Sequence, residues 1–290
     1  MRIELQQIQA PVPERRPRVD RGELFISWIG QAGFILDSAD LRILIDPYLS
    51  DSLAAKYRGK EFPHIRMSPP PVAPGKLSGV DLLFATHAHT DHLDPGTLPA
   101  VQSANPNCRC LVPRACRQTA VERGVDPARL LTVNAGESFS LTDSVRVHAV
   151  PAAHEMITVN ESGDHLFLGY LIDFDGIVVY HSGDCVPFDG QEQLVRDLGA
   201  RVLLLPVNGR DEYRTSHGIA GNFTLLESVH FAQAVDADYL IGHHFGMFDF
   251  NTIDLPSARE AIHDGFPAFE ERYLLAAPGV SYRFKRRSTL

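Results

Sequence analysis

Seven consecutive residues, Thr86-His87-Ala88-His89-Thr90-Asp91-His92, constrain this chain more than any other feature. In an extended loop His87 and His89 lie two positions apart and project to the same side, so their imidazoles can share one cation. Asp91 and His92 are displaced from that pair and can serve a second cation. Zinc-like ions favour imidazole nitrogen together with carboxylate oxygen, and hydrolytic sites leave one coordination position open for water. The cluster also follows directly on Leu82-Leu83-Phe84-Ala85, an apolar run that reads as a buried strand. A surface histidine tract or a scatter of core histidines does not account for that combination of spacing and context.

The rest of the chain must build the scaffold that carries these ligands, and 290 residues suffice for a large core. Residues 1–20, rich in proline and arginine, are expected to form an N-terminal arm. Short β-rich runs follow at 24–29, 34–36 and 41–45, separated by Gly30-Gln31-Ala32-Gly33 and Asp37-Ser38-Ala39-Asp40 as hairpin connections would be. The proline-rich stretch 47–79 predicts a long loop of the kind that overhangs a site. Asp94 before Pro95 predicts a capped helix start, and 113–124 a helix closed by Gly124. In the second half, strands are expected at 145–150, 166–173 and 177–181, the last two joined by the turn Asp175-Gly176. A helix at 189–198, a strand at 202–205, a helix at 223–235 opened by Asn222, a strand at 239–241 and a helix at 256–264 complete the pattern. Such a chain belongs to the α/β (α+β) class, with two mixed sheets face to face and helices outside in one domain spanning 1–290. The alternation by itself also fits other α/β folds.

Charge and cysteine content narrow the function. Lys plus Arg number 27 against 36 Asp plus Glu, a formal charge of −9, which disfavours nucleic acid or an anionic membrane as a partner and requires any anionic substrate to be small. Cys108, Cys110, Cys116 and Cys185 have neither zinc-ribbon spacing nor the density of a disulfide scaffold, so reduced thiols are expected. With no signal-peptide core and no run of membrane-spanning length, a soluble cytoplasmic protein is expected. Self-association into a homo-oligomer is compatible with the sequence.

His87-Ala88-His89-Thr90-Asp91-His92 resembles the His-x-His-x-Asp-His signature of the metallo-β-lactamase superfamily, and further matches follow in order. Ala149-Val150-Pro151-Ala152-Ala153-His154 looks like the segment carrying a third histidine, Ser182-Gly183-Asp184 like the bridging-aspartate motif, and Ile241-Gly242-His243-His244 like the last histidine motif. The resemblance implies a four-layer αβ/βα sandwich holding two divalent metal ions, zinc or manganese before iron. It assigns His87, His89 and His154 to one metal and Asp91, His92 and His244 to the other, with Asp184 bridging and His243 as the alternative to His244. Within the superfamily, Trp28-Ile29-Gly30-Gln31-Ala32-Gly33, His92-Leu93-Asp94, Tyr180-His181-Ser182-Gly183-Asp184 and His243-His244 resemble the L-ascorbate-6-phosphate lactonase group. That likeness implies a hydrolase that opens a lactone or similar ester of a small, in some versions phosphorylated, molecule.

The chemistry implied is attack by a metal-bound hydroxide, with Asp91 as the catalytic residue that orients the nucleophile and takes its proton. Asp46, in Ile45-Asp46-Pro47, resembles the superfamily's first acidic motif and would support a ligand from behind, although turn chemistry before proline reads equally well. His181 would support Asp184 or reach substrate, with a satisfied structural histidine the plainer reading. Cys185 reads as a small packing residue. Asn208, Arg210, Tyr213 and Arg214 follow a strand at its site-facing end, and arginine suits bidentate capture of phosphate or carboxylate, so this loop is expected to bind substrate. Phosphodiester cleavage is the nearest alternative function, and a non-hydrolytic metal-binding or di-iron redox role is the alternative of another class.

Overall fold

The computed structural model describes residues 2–287. Its strands fall, in chain order, into β1 (Arg2–Gln9), β2 (Glu23–Gly30), β3 (Gly33–Ser38), β4 (Arg42–Ile45), β5 (Leu82–Phe84), β6 (Arg109–Pro113) and β7 (Leu130–Val133), then β8 (Ser138–Ser140), β9 (Val145–Pro151), β10 (Leu168–Phe174), β11 (Ile177–His181), β12 (Val202–Pro206), β13 (Tyr239–His243), β14 (Tyr273–Leu275) and β15 (Val280–Arg287). One sheet runs β1-β15-β2-β3-β4-β5-β6-β7 and the other β14-β13-β12-β11-β10-β9-β8. Each is mixed: β4, β5, β6 and β7 are parallel neighbours beside antiparallel β2–β3–β4, and β11 to β14 are parallel beside antiparallel β8 to β11.

The layering follows from strand alternation. Leu24, Ile26, Phe34, Leu36, Ile43, Ile45, Leu82 and Phe84 share one buried cluster with Tyr170, Ile172, Val202 and Leu204 of the other sheet, so the two sheets meet face to face. The intervening residues point the other way: Ile35, Leu44 and Leu83 pack with Leu98 and Val101 of α2 (Leu98–Ala104), and Leu171, Leu203 and Leu205 with Val229 and Phe231 of α6 (Leu225–Ala234). Because the strands are apolar on both faces, helices must cover the outer ones. The remaining helices are α1 (Ser52–Lys56), α3 (Arg117–Glu122), α4 (Gln191–Asp197), α5 (Glu212–Ser216) and α7 (Leu255–Gly265). None of the described helices is long and apolar enough to cross a membrane.

Several local expectations are corrected. Residues 2–9 are not an arm but the edge strand β1, paired antiparallel with β15 and burying Ile3, because the prolines and most arginines of this segment begin only after it. The following stretch is held by the wholly buried Arg42, whose guanidinium donates to the carbonyls of Pro13, Glu14 and Ser78 and lies 3.2 Å from Asp37. Asp94 opens a helical turn as expected, its carboxylate accepting from the Gly96 N–H and its carbonyl from the Thr97 and Leu98 N–H groups, but it does more than cap. Its carboxylate also accepts from the Ser50, Ser52 and Thr97 hydroxyls, which ties the 47–79 loop to the segment after the signature, and α2 begins only at Leu98. The helix expected over 113–124 forms as a 3₁₀ turn, Arg114–Cys116, running into α3 and closed by Gly124 at φ +87, with Pro113 ending β6 instead. Thr224, not Asn222, caps α6, through a capping box with Glu227. The Asp175-Gly176 turn forms as expected, both residues at positive φ.

Candidate metal centre and cleft

The loops carrying the candidate ligands leave the sheets along one edge. The signature follows β5, Asp46 follows β4, His154 follows β9, Asp184 follows β11 and His244 follows β13. Three overlapping sets form there, His87/His89/His154, His87/His92/Asp184 and Asp91/His92/His244, each with its candidate ligand atoms within 4.8 Å of one another.

Hydrogen bonds from behind fix which nitrogen each imidazole presents. Asp46 accepts from the Thr86 N–H (2.8 Å), the Thr86 hydroxyl (2.6 Å) and His92 Nδ1 (2.7 Å). Because the Thr86 hydroxyl is spent on Asp46, its oxygen accepts from His87 Nδ1 at 3.0 Å. Both histidines therefore direct Nε2 away from these partners, and both Nε2 atoms are buried without a hydrogen-bond partner. Two buried imidazole nitrogens with no partner are costly unless something occupies the space between them. The donor set, imidazole nitrogens with carboxylates, fits divalent metal ions.

Asp184 lies at the centre, Oδ1 3.2 Å from His244 Nε2 and Oδ2 3.4 Å from His92 Nε2, with His154 Nε2 at 3.9 Å. Burial opposes its ionisation, but His244 and His92 outweigh burial and hold the carboxyl well below the usual range. His154 Nε2 is 3.2 Å from His89 Nδ1, and burial pushes His154 down to about 4, so it is a neutral nitrogen donor at pH 7. Gly183, at φ +64, precedes Asp184; a Cβ there would lie 2.8 Å from the Leu168 carbonyl and 2.9 Å from Thr86 Cβ, so any side chain would push the Asp184 and signature loops apart.

Strand alternation settles the paired histidines. His243, still within β13, points between the sheets, stacked on His181 (5.1 Å between centroids) and edge-on to Phe34. His244 adopts a left-handed backbone (φ +66) that turns its ring out of the core and into the cluster. His181 faces neither substrate nor the cluster: Nε2 donates to the Ala32 carbonyl, and Nδ1 accepts from the Gly183 N–H, so it holds the backbone beside Asp184. The Cys185 thiol accepts from the Ala153 N–H and the Gln191 amide and is buried.

Gln31, for which the sequence pattern implies no role, joins the two sheets at the cluster. Its backbone also takes a left-handed φ (+52), its carbonyl accepts from the Trp28 indole and the His244 N–H, and its amide donates to Asp91 Oδ2 at 2.9 Å. One residue of the β2–β3 turn thereby links the signature loop of the first sheet to His244 of the second.

Above the cluster opens a cleft of about 530 Å³, reached by His89, Asp91, His154, Asp184 and His244. Its outer part is lined from the 47–79 loop by Lys56, Lys60, Phe62 and His64, and from 217–220 and 248–251. The expected recognition residues are placed elsewhere. Arg210 is bidentate to Glu227 (2.6 and 2.7 Å), Arg214 is bound to Asp211, the Asn208 carbonyl and Asn251, and Asn208 is buried between Asn251 and Asn222. Tyr213 is exposed and packs on His217 and Phe62 behind the cleft lining. These groups bind one another, and none of the four lines the cleft.

Comparison with known proteins agrees with this geometry. The beta-lactamase superfamily domain model matches residues 41–245, from β4 through the His244 loop. A protein of Archaeoglobus fulgidus described as a UPF0173 metal-dependent hydrolase is 28% identical over 267 residues, covering 90% of this chain and 99% of that protein. One of the same description from Caldivirga maquilingensis is 30% identical over 187 residues, 64% of this chain and 70% of the relative. In fold, the isothiocyanate hydrolase from Delia radicum gut bacteria is similar with a TM-score of 0.69 at 19% identity, over 89% of this chain and 98% of that one.

Proposed function

This chain belongs to the beta-lactamase superfamily, and from that premise we propose that it is a metal-dependent hydrolase acting on a small molecule, with a lactone or related ester as the substrate class. The observation that carries the reading is the set of buried, unpartnered imidazole nitrogens converging with Asp184 and Asp91. His87, His89 and His154 would hold one divalent ion, Asp91, His92 and His244 a second, and Asp184 would reach both. When bound, such a pair lowers the pKa of a water toward neutrality and polarises the substrate's carbonyl or phosphoryl oxygen.

The chain's own groups then divide the work. Asp91, steadied at Oδ2 by the Gln31 amide, orients the attacking water and accepts its proton. Asp46 and Thr86 keep His92 and His87 in the tautomers that expose Nε2. The cleft volume suits a small substrate, and the net charge of −9 weighs against polynucleotides. The names carried by the A. fulgidus and C. maquilingensis relatives support metal-dependent hydrolysis.

The test is titration of metal-stripped protein with Zn²⁺ and Mn²⁺, followed by assay on a panel of lactones, aryl esters and phosphodiesters. Two bound equivalents and metal-restored lactone or ester cleavage are expected. Turnover confined to phosphodiesters would replace the ester reading, and iron uptake with no hydrolysis would overturn the hydrolase itself.

A further inference from the structure

The outer half of the cleft has a chemistry of its own. Lys56, the last residue of α1, reaches the signature loop with Nζ 3.5 Å from the Thr90 hydroxyl, and Lys60 follows four residues later. Among the described residues neither ammonium has a carboxylate within ion-pair distance, in contrast to the saturated Arg210 and Arg214. The acid of this stretch, Glu61, is turned toward His217 at 3.8 Å. Although Glu61, Asp91 and Asp184 also line the cleft, its two ammonium groups are thus paired with no carboxylate among the described residues, in a chain whose overall balance is acidic.

Beside the lysines stands an aromatic wall. Tyr57 stacks on His64 (4.2 Å, 19°), His64 meets Phe248 and Phe250 edge-on at 5.0 and 4.8 Å, and Phe62 packs on Phe250 at 4.9 Å. Burial lowers the His64 pKa, and its Nδ1 donates to the Phe62 carbonyl, so the ring joins the wall as a neutral aromatic. Ile219, between the small Gly218 and Ala220, adds an aliphatic side chain to the lining. Flat apolar rings prefer such faces, and each offset or edge-on pair contributes beyond its buried area.

We propose that this half of the cleft is the recognition subsite for a small organic anion with a flat apolar body, its ring against Phe62, His64 and Phe250 and its carboxylate or phosphate at Lys56. The inference deepens the hydrolase reading by naming the class of its substrate, and the subsite does not itself require metal. It also moves anion capture from the loop after β12, where sequence placed it, to α1 and the turn that follows.

Binding of four probes to the zinc-loaded and the zinc-free protein tests it: 4-hydroxybenzoate, 4-hydroxyphenylphosphonate, phenol and glycolate. In both forms the aromatic anions should bind roughly ten-fold tighter than phenol and than glycolate, because an exposed charge-assisted contact and a ring contact each contribute about that factor. Carboxylate and phosphonate arms show which anion is preferred. Lys56→Met should erase the advantage over phenol and Lys56→Arg should retain most of it, while Phe62→Ala with Phe250→Ala should erase the advantage over glycolate. The anion preference should also shrink at high salt. Equal binding of phenol and the anions, no binding of any probe, or an anion preference untouched by Lys56→Met overturns the subsite. A zinc-free protein that keeps both preferences yet takes up no metal would leave the subsite standing and defeat the hydrolase reading.

Discussion

Two loops at the same edge of the sandwich carry polar side chains that looked equally functional from sequence, and the structure treats them in opposite ways. In the signature loop, Thr86 and Asp46 satisfy only the rear nitrogens of His87 and His92 and leave the front ones buried and open. In the loop after β12, Arg210, Arg214 and Asn208 have partners on every side: Glu227, Asp211, Asn251 and backbone carbonyls. A side chain recruited to bind something else must have donor or acceptor capacity left over, and only the first loop has it.

The largest effect that bears on this contrast is expected at its centre. Asp184→Ala removes the carboxylate placed between the two ligand sets, so bound metal should fall from two equivalents to one or fewer and turnover to background. Unchanged metal content and turnover would break the comparison outright. Next come the residues that act from behind. Asp46→Ala and Gln31→Met should each weaken metal binding about ten- to a hundred-fold. For Gln31→Met the loss should fall on one of the two equivalents, with the metal-free protein's Tm unchanged. Equal weakening of both equivalents would mean that Gln31 merely supports the β2–β3 turn.

Smaller changes are expected in the saturated loop. Arg214→Ala strips partners from Asn251 and the Asn208 carbonyl and should cost about 1–3 kcal/mol of stability. Arg210→Ala removes a partly exposed ion pair and should cost under about 1 kcal/mol. Both should lower kcat/KM equally on charged and neutral substrates, if at all. A loss confined to anionic substrates would restore these arginines as recognition residues. The smallest response is expected one residue beyond Asp184: burial pushes the Cys185 thiol up to about 12, so almost no thiolate exists at pH 8. Iodoacetamide should leave Cys185 unmodified in the native protein and alkylate it in denaturant, and rapid native labelling would indicate that the shell around the cluster opens.

Much of the scaffold was legible because its signals are local. Alternation and apolar runs located β2 to β5 and β9 to β13, and Asp175-Gly176 placed its hairpin. The polar misreadings come from competition for the same polar atoms. Asn222 has the right chemistry for a helix cap but is bound to Asn208, and Asp94 adds to its own cap contact the hydroxyls of Ser50 and Ser52, contacts that no local pattern reveals. The edge strand β1 went unseen because its partner, β15, lies at the far end of the chain.

The spacing His87-x-His89-x-Asp91-His92 and the strand-end positions of His154, Asp184 and the His243-His244 pair are properties of the sequence, since ligand type and periodicity follow from the residues themselves. Which of the paired histidines enters the cluster depended on a left-handed φ at His244, and which cations face the cleft depended on where Glu227 and Asp211 lie once the chain is folded. Ligand identity is written one residue at a time, whereas the free valence of a polar side chain is decided only when every competing partner has been placed.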